Sequence, residues 1–127
     1  MNTYKRPLNS IQYPNMRQEF IGYLQALSQR EYKWSKKVDE FKEIIHFFFD
    51  DMNIANDPSS NLGVFLKDEE EVSLSFRIAE ELDKIINMYG ANIIGSEYSK
   101  MNESKGIAEI AKRLLELMRK NDLTLSS

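Results

Sequence analysis

The residues best placed to do chemistry lie in one run, His46-Phe47-Phe48-Phe49-Asp50-Asp51. In a helix His46 and Asp50 stand one turn apart on one face, where the carboxylate can orient the imidazole or the two can act as metal ligands. A mononuclear zinc site takes three or four protein ligands. With one His and no Cys in the chain, the remainder would have to be carboxylates. That reading makes the protein a small metal-assisted or acid/base enzyme using His46, Asp50 and Asp51. A plainer reading lets Asp50 and Asp51 end a buried helix by bonding loop amides, while His46 satisfies a polar position at the edge of the core. A third exposes the run as a binding surface. Because His46 sits inside the most apolar helix with no second His anywhere, we read it as structural.

Other chemistries find no support. The acids from Asp50 to Glu71 lack the spacing, central Gly and terminal Glu of an EF-hand loop. There is no G-x-x-x-x-G-K-[ST], no G-x-G-x-x-G and no G-x-S-x-G. Without cysteine, disulfides, thiolate zinc sites and thiol nucleophiles are excluded. We therefore expect a binding protein rather than an enzyme, with no catalytic residue, metal or cofactor.

What does stand out is how charge is distributed. From Asp39 to Asp83 there are 13 carboxylates against 3 cations, a local net charge of −10, whereas the whole chain is only −3 and both ends are basic. A charge run is ordinarily a solvated helix face, and Glu69-Glu70-Glu71 alone would need no more than that. Thirteen acids spread over two helices and their connection make a field that selects a partner of opposite sign and speeds encounter. A basic protein is favoured. Nucleic acid is disfavoured as a direct ligand, because phosphate contacts need clustered Lys and Arg.

At 127 residues the chain fits one domain, 1–127, able to bury roughly 65% of its unfolded surface. Five Gly and three Pro are too few for a chain dominated by tight turns, so the fold class is all-α. The N-terminus lacks the apolar core of a secretory signal. The longest apolar stretch, Ile44 to Phe49, falls far short of the about 20 residues that span a bilayer. A soluble, cytoplasmic protein with no membrane contact is the expectation, and the sequence leaves its oligomeric state open.

The elements that would position these residues are four main helices. Residues 1–14 read as an extended arm broken by Pro7 and Pro14. A first helix, about Met16 to Glu31 and capped by Asn15, turns Phe20, Leu24 and Leu27 inward and Arg17, Gln18, Gln25 and Gln29 to water. Tyr32 and Trp34, in a Lys-rich junction, close one end of the core. The second helix, about Lys37 to Met52, carries the widest apolar stripe, with Val38, Phe41, Ile45, Phe48, Phe49 and Met52 inward. Asn53 to Lys67, dense in turn formers, is a long surface loop that returns to the core at Leu62 and Val64-Phe65-Leu66. Asp68 caps a third helix that ends at Gly90. A short helix after Ser96 precedes a fourth main helix, about Lys105 to Lys120, and residues 121–127 fray.

Tyr13-Pro14-Asn15-Met16-Arg17, the His46 to Asp51 run with Asp57-Pro58 after it, Leu62-Gly63-Val64-Phe65-Leu66 and Glu69 to Glu71 together resemble a family of small uncharacterised bacterial helical proteins. The resemblance covers most of Gln12 to Met101. Lys33-Trp34-Ser35-Lys36-Lys37 is shorter than the corresponding junction of that family. Its members occur near toxin genes, which implies that they act as immunity proteins. On that resemblance and the acidic centre together, the expected function is neutralisation of a basic toxin domain by an acidic surface. The partner-binding residues would be Asp50, Asp51, Asp57, Asp68, Glu69, Glu70 and Glu71, with Phe65, Tyr98 or Trp34 as apolar anchors. An oligomeric structural or regulatory adaptor is the remaining alternative.

Overall fold

The computed structural model describes residues 8, 10–29, 32–34, 39–90 and 92–126. Among them are five α-helices and no strand: α1 (Pro14–Ser28), α2 (Glu40–His46), α3 (Glu69–Tyr89), α4 (Gly95–Lys100) and α5 (Ser104–Ser126). The all-α expectation holds, with α4 as the short fifth helix. Glu31, at the expected end of the first helix, and Lys37 and Val38, at the expected start of the second, lie outside the described residues. So do Ser35 to Lys37 of the junction and most of the first nine residues. No helix among the described residues is long and apolar enough to cross a membrane.

Helix starts follow local chemistry, with one correction. Pro14 does not break α1 but opens it at the first helical turn, where its fixed φ is already helical and its missing N–H has no partner to lose. Asn15 therefore lies inside the helix rather than capping it. Asp39 caps α2 by accepting the Lys42 N–H at 3.1 Å. Asp68 caps α3 by accepting the Glu71 N–H at 2.7 Å, and Gly90 ends α3 with φ 90. α2 runs directly into a π-helical turn over Phe47–Asp51, closed by the Met52 N–H donating to the Phe47 carbonyl at 3.0 Å. The consecutive Phe47 and Phe48 of this turn are both buried, and Ile45, Phe49 and Met52 are left half-buried on the flank.

The core joins two aromatic clusters. Phe20 of α1 packs on Phe47, Phe48 and Phe65 with ring centroids 5.1–5.7 Å apart, offset or edge-on as the ring quadrupoles favour. At the other end Trp34 meets Tyr32, Phe41 and Tyr98 edge-on, Phe41 stacks on Tyr98 at 4.6 Å, and the Trp34 indole N–H donates to Ser99 Oγ at 2.6 Å. Gly95 is required beneath that indole, since a Cβ there would overlap the ring. Trp34 thus closes the core. α5 packs against both α1 and α3, while α4 touches α2 and α5.

The connection from α2 to α3 is not simply a surface loop. Ile54, Phe65 and Leu66 are fully buried and a 3₁₀ turn spans Pro58–Asn61, while Leu62, expected to return to the core, stays exposed. Asn61 organises the segment. Its carbonyl accepts from the N–H groups of Val64, Phe65 and Leu66, and its side-chain amide donates to the Met52 carbonyl at 2.9 Å. Leu8, Gln12 and Tyr13 donate backbone N–H groups to the carbonyls of Lys67, Gly63 and Val64, so the chain before α1 lies along this segment.

Arg17 is the main departure from expectation. It shares the inner face of α1 with Phe20, Leu24 and Leu27 and is 3% exposed. Its guanidinium grips the fully buried Glu71 of α3 through two hydrogen bonds at 2.8 and 2.9 Å, donates to the Phe65 carbonyl at 3.0 Å, and meets Asp122 of α5 at 3.0 Å. Glu71 also accepts from the Lys67 N–H and from the Asn121 amide, which bonds Asp68 as well. Burial alone would lower the pKa of Arg17, but the hydrogen bonds and charge of Glu71 and the field of Asp122 more than offset it. The group is held charged, above its ordinary value. This network also explains why α5 continues to Ser126 where fraying was expected after Lys120: Asn121 is buried and bonded, and Asp122 carries the salt bridges to Arg17 and Lys67.

Removing one partner of a buried ion pair leaves the other charged and unpaired, which costs about 3–5 kcal/mol. Arg17→Met should lower the free energy of unfolding by that amount, read from the urea midpoint. In a double-mutant cycle with Glu71→Gln the two sites should couple by about 0.5–3 kcal/mol. Additive effects would show that the pair does not act as a unit.

Candidate partner-binding surface

Of the eight residues expected to meet a partner, the structure leaves five exposed: Asp50, Asp51, Asp57, Glu69 and Glu70. Asp50 and Asp51 end the π-helical turn, Asp57 precedes the 3₁₀ turn, and Glu69 and Glu70 open α3. Asp51, Asp57 and Glu70 form no ion pair with a described residue.

Burial removes two of the eight. Phe65 is 0% exposed, its ring edge-on to Phe20 and Phe47, and Glu71 is held by Arg17, Lys67 and Asn121. Helical geometry explains Glu71: it lies one turn from Leu74 and Ser75 on the packed face of α3, whereas Glu69 and Glu70 precede that face. Asp68 is half-buried with both oxygens engaged, one by the Glu71 N–H and one by Asn121. The two other proposed anchors, Tyr98 and Trp34, are parts of the core and not of a surface.

His46 and Asp50 do pair, with Nδ1 2.6 Å from Oδ2, but the side chains are 53% and 64% exposed. The core-edge position expected for His46 is therefore corrected. The inner face of α2 is set by Phe41 and Ile44, and position 46 lies roughly 200° around the helix from Ile44. Among the described residues no three His, Asp or Glu side chains gather as a metal site would require.

Two further groups of acids join this surface, and neither was singled out from sequence. Phe49, Ala55 and Asn56 share a groove with Phe76, Ala79, Glu80 and Asp83, so the π-helical turn lies beside the middle of α3. Glu69 stands seven residues, about 10 Å of helix, before Phe76. The acids of α3 nearest the π-helical turn are thus Glu80 and Asp83. On the other flank Asp51 joins Glu19 and Glu43 around Tyr23. Helical spacing from Phe76 to Glu80 and Asp83 was the available signal for the first group; the second depends on how α1 and α2 pack and has none.

Tyr23 yields a pH dependence. Its partial burial, its hydrogen bond to Glu19 at 2.5 Å and the fields of Glu19, Glu43 and Asp51 all raise the phenol pKa above the usual tyrosine range. The folded chain then keeps a proton that the unfolded chain releases near pH ~10, so this contribution is complete below pH ~10 and declines as pH rises further. Urea unfolding between pH ~9 and ~11 should show stability falling, with a shallower fall in Tyr23→Phe; equal slopes would dismiss the assignment. His46→Gln, in contrast, should change stability by no more than about 0.5 kcal/mol at neutral pH, as for an ordinary surface position. A loss of several kcal/mol would return His46 to the core.

No curated protein and no solved structure matches the chain significantly. A family model does match residues 11–125, which take in all five helices apart from the last residue of α5. It is described as a domain of unknown function, DUF7945, and the chain belongs to that family.

Proposed function

We propose that this chain is an immunity-type binding protein of the bacterial cytoplasm, which neutralises a basic toxin domain by covering it with an acidic surface. One observation carries the reading: Asp51, Asp57, Glu70 and Glu80 are exposed carboxylates with no cationic partner among the described residues. They lie on the π-helical turn, the connection after it and α3. Carboxylates that merely solvate a helix face are usually interleaved with cations at i±3 or i±4. On α3 Arg77 and Lys84 stand three and four residues from Glu80, yet among the described residues one such pair forms, Glu81 with Lys84.

The mechanism is occlusion after electrostatic steering. Long-range attraction orients a basic surface toward the acids, and close contact then covers the toxin's working groups. Exposed ion pairs contribute only ~0–1 kcal/mol each, so lasting capture needs apolar contact as well. The acidic loop of the original expectation becomes, in this reading, a composite face in which the α2–α3 connection supplies Asp57 and the flanking helices supply the rest.

The test is the association rate with a candidate toxin domain encoded beside this gene. Reversing Asp50, Asp51, Asp57 and Glu69 together to Lys should slow association at least about tenfold while dissociation changes less. Raising salt from 0.1 to 1 M, which shortens the screening length from about 10 to about 3 Å, should slow the parent chain as well. Reversals at Lys112, Arg113 and Arg119 of α5 should have a smaller effect or slightly help. A rate indifferent to both salt and charge reversal would remove the acidic face from the mechanism.

A further inference from the structure

We infer that the groove between the π-helical turn and α3 is a seat for one lysine or arginine side chain of a basic partner protein. The inference rests on the reading above and names the place where apolar contact and charge are read together.

The groove is about 410 Å³, within the range of sites that enclose a ligand group. Its apolar lining is Phe49, Ala55, Phe76 and Ala79, and its polar lip is Asn56, Glu80 and Asp83. The chain has seven Phe. Five of them, Phe20, Phe41, Phe47, Phe48 and Phe65, are buried in the core, and the two left half-exposed are the two that line this groove. Random surface exposure would not bring the exceptions together across 27 residues of sequence.

The lip is open to a cation. Among the described residues Glu80 has no partner and Asp83 accepts only from the Asn87 amide at 3.3 Å. Lys84, next to Asp83 in sequence, is directed to Glu81 at 3.0 Å, and Arg77, three residues before Glu80, forms no ion pair with it. The opposite wall is fixed. Asn53 adopts φ 50, a left-handed conformation rare for a residue with a side chain but tolerated by Asn, and it accepts from both the backbone and the side-chain amide of Asn56. The π-helical turn ahead of it carries Phe49 out to the flank. Turns of this kind recur at functional sites, as do strained conformations held in place by their surroundings.

Only one class of side chain satisfies both surfaces. The methylenes of Lys or Arg can lie along Phe49, Phe76 and Ala55 while the charged head reaches Glu80 and Asp83, the division of labour by which these residues ordinarily cover apolar surface. The aromatic faces themselves attract a cation. A purely apolar side chain would desolvate two carboxylates with no compensating bond, and an acidic one would be repelled.

The experiment is a backbone-amide NMR titration of the full chain with three blocked tripeptides, Gly-Arg-Gly, Gly-Lys-Gly and Gly-norleucine-Gly, at constant ionic strength. The arginine and lysine peptides should give saturable shifts centred on Phe49, Ala55, Asn56, Phe76, Glu80 and Asp83, with norleucine at least about tenfold weaker. Glu80→Gln/Asp83→Asn, a pair of changes at exposed positions, should abolish the difference between the charged and neutral peptides. Phe76→Ser should weaken all three. Equal binding of norleucine, or shifts confined to Asp51, Asp57, Glu69 and Glu70, would overturn the seat and leave the wider acidic face standing. Failure of that wider reading is recognised separately, by toxin association indifferent to salt.

Discussion

The structure depends first on the ion pair between Arg17 and Glu71. One side chain of α1 and one of α3 meet through two hydrogen bonds at almost no exposure. Asn121 and Asp122 bring α5 to the same point, and the Phe65 carbonyl and Lys67 N–H bring the α2–α3 connection. Each polar atom desolvated there is costly unless bonded, so the three long helices and the connection are constrained to one mutual arrangement. A buried ion pair is weak evidence for stability, because a well-packed apolar replacement can do as well. What it supplies here is registration: two parallel N–H to oxygen bonds tolerate little sliding of one helix along another.

The apolar core tolerates more. Phe20, Phe47, Phe48 and Phe65 meet at centroid distances and angles that suit aromatic rings, but dispersion and area burial set no single alignment. Local backbone adjustment completes the fit. Phe47 and Phe48, consecutive in the π-helical turn, both enter the core. The cost falls on the outer flank, where Phe49 is left half-exposed beside α3. The turn that carries Phe47 and Phe48 into the core therefore also carries Phe49 of the surface groove.

What was legible in the sequence was whatever local chemistry decides. Asp68 and Gly90 bound α3 because an N-cap oxygen and a residue at positive φ act within one turn. The buried residues of α3 and α5 recur at helical spacing because a packed helix must bury one side. The failures share one cause. Arg17, Asn61 and Asn121 are polar, and a polarity pattern assigns polar residues to water; each instead satisfies buried groups whose partners come from elsewhere in the chain, 54 residues away for Arg17 and Glu71. Glu71 was misplaced by the company it keeps, since Glu69-Glu70-Glu71 reads as one acidic run although a helix turns its third member inward. Phe65 was read both as returning to the core and as a surface anchor, and the first holds, because the turn formers before it fold around the buried Asn61.

These two levels meet in α3. Its first turn is pinned at Glu71 by the ionic network, and Glu80 on the groove lip lies nine residues further, about 13 Å along the same rigid helix. The facing wall is pinned separately, through Phe47 and Phe48 in the aromatic cluster and through Asn61, which bonds the Met52 carbonyl at the end of the π-helical turn. The distance between Phe49 and Glu80 is thus a difference between two buried constraints and owes nothing to the exposed residues themselves. A groove held this way is pre-organised, so a side chain entering it would meet little ordering cost. The carboxylates that never reach the surface are in this sense as important to the acidic face as those that form it: Glu71 adds no charge to the outer field, but it fixes where Glu80 and Asp83 stand.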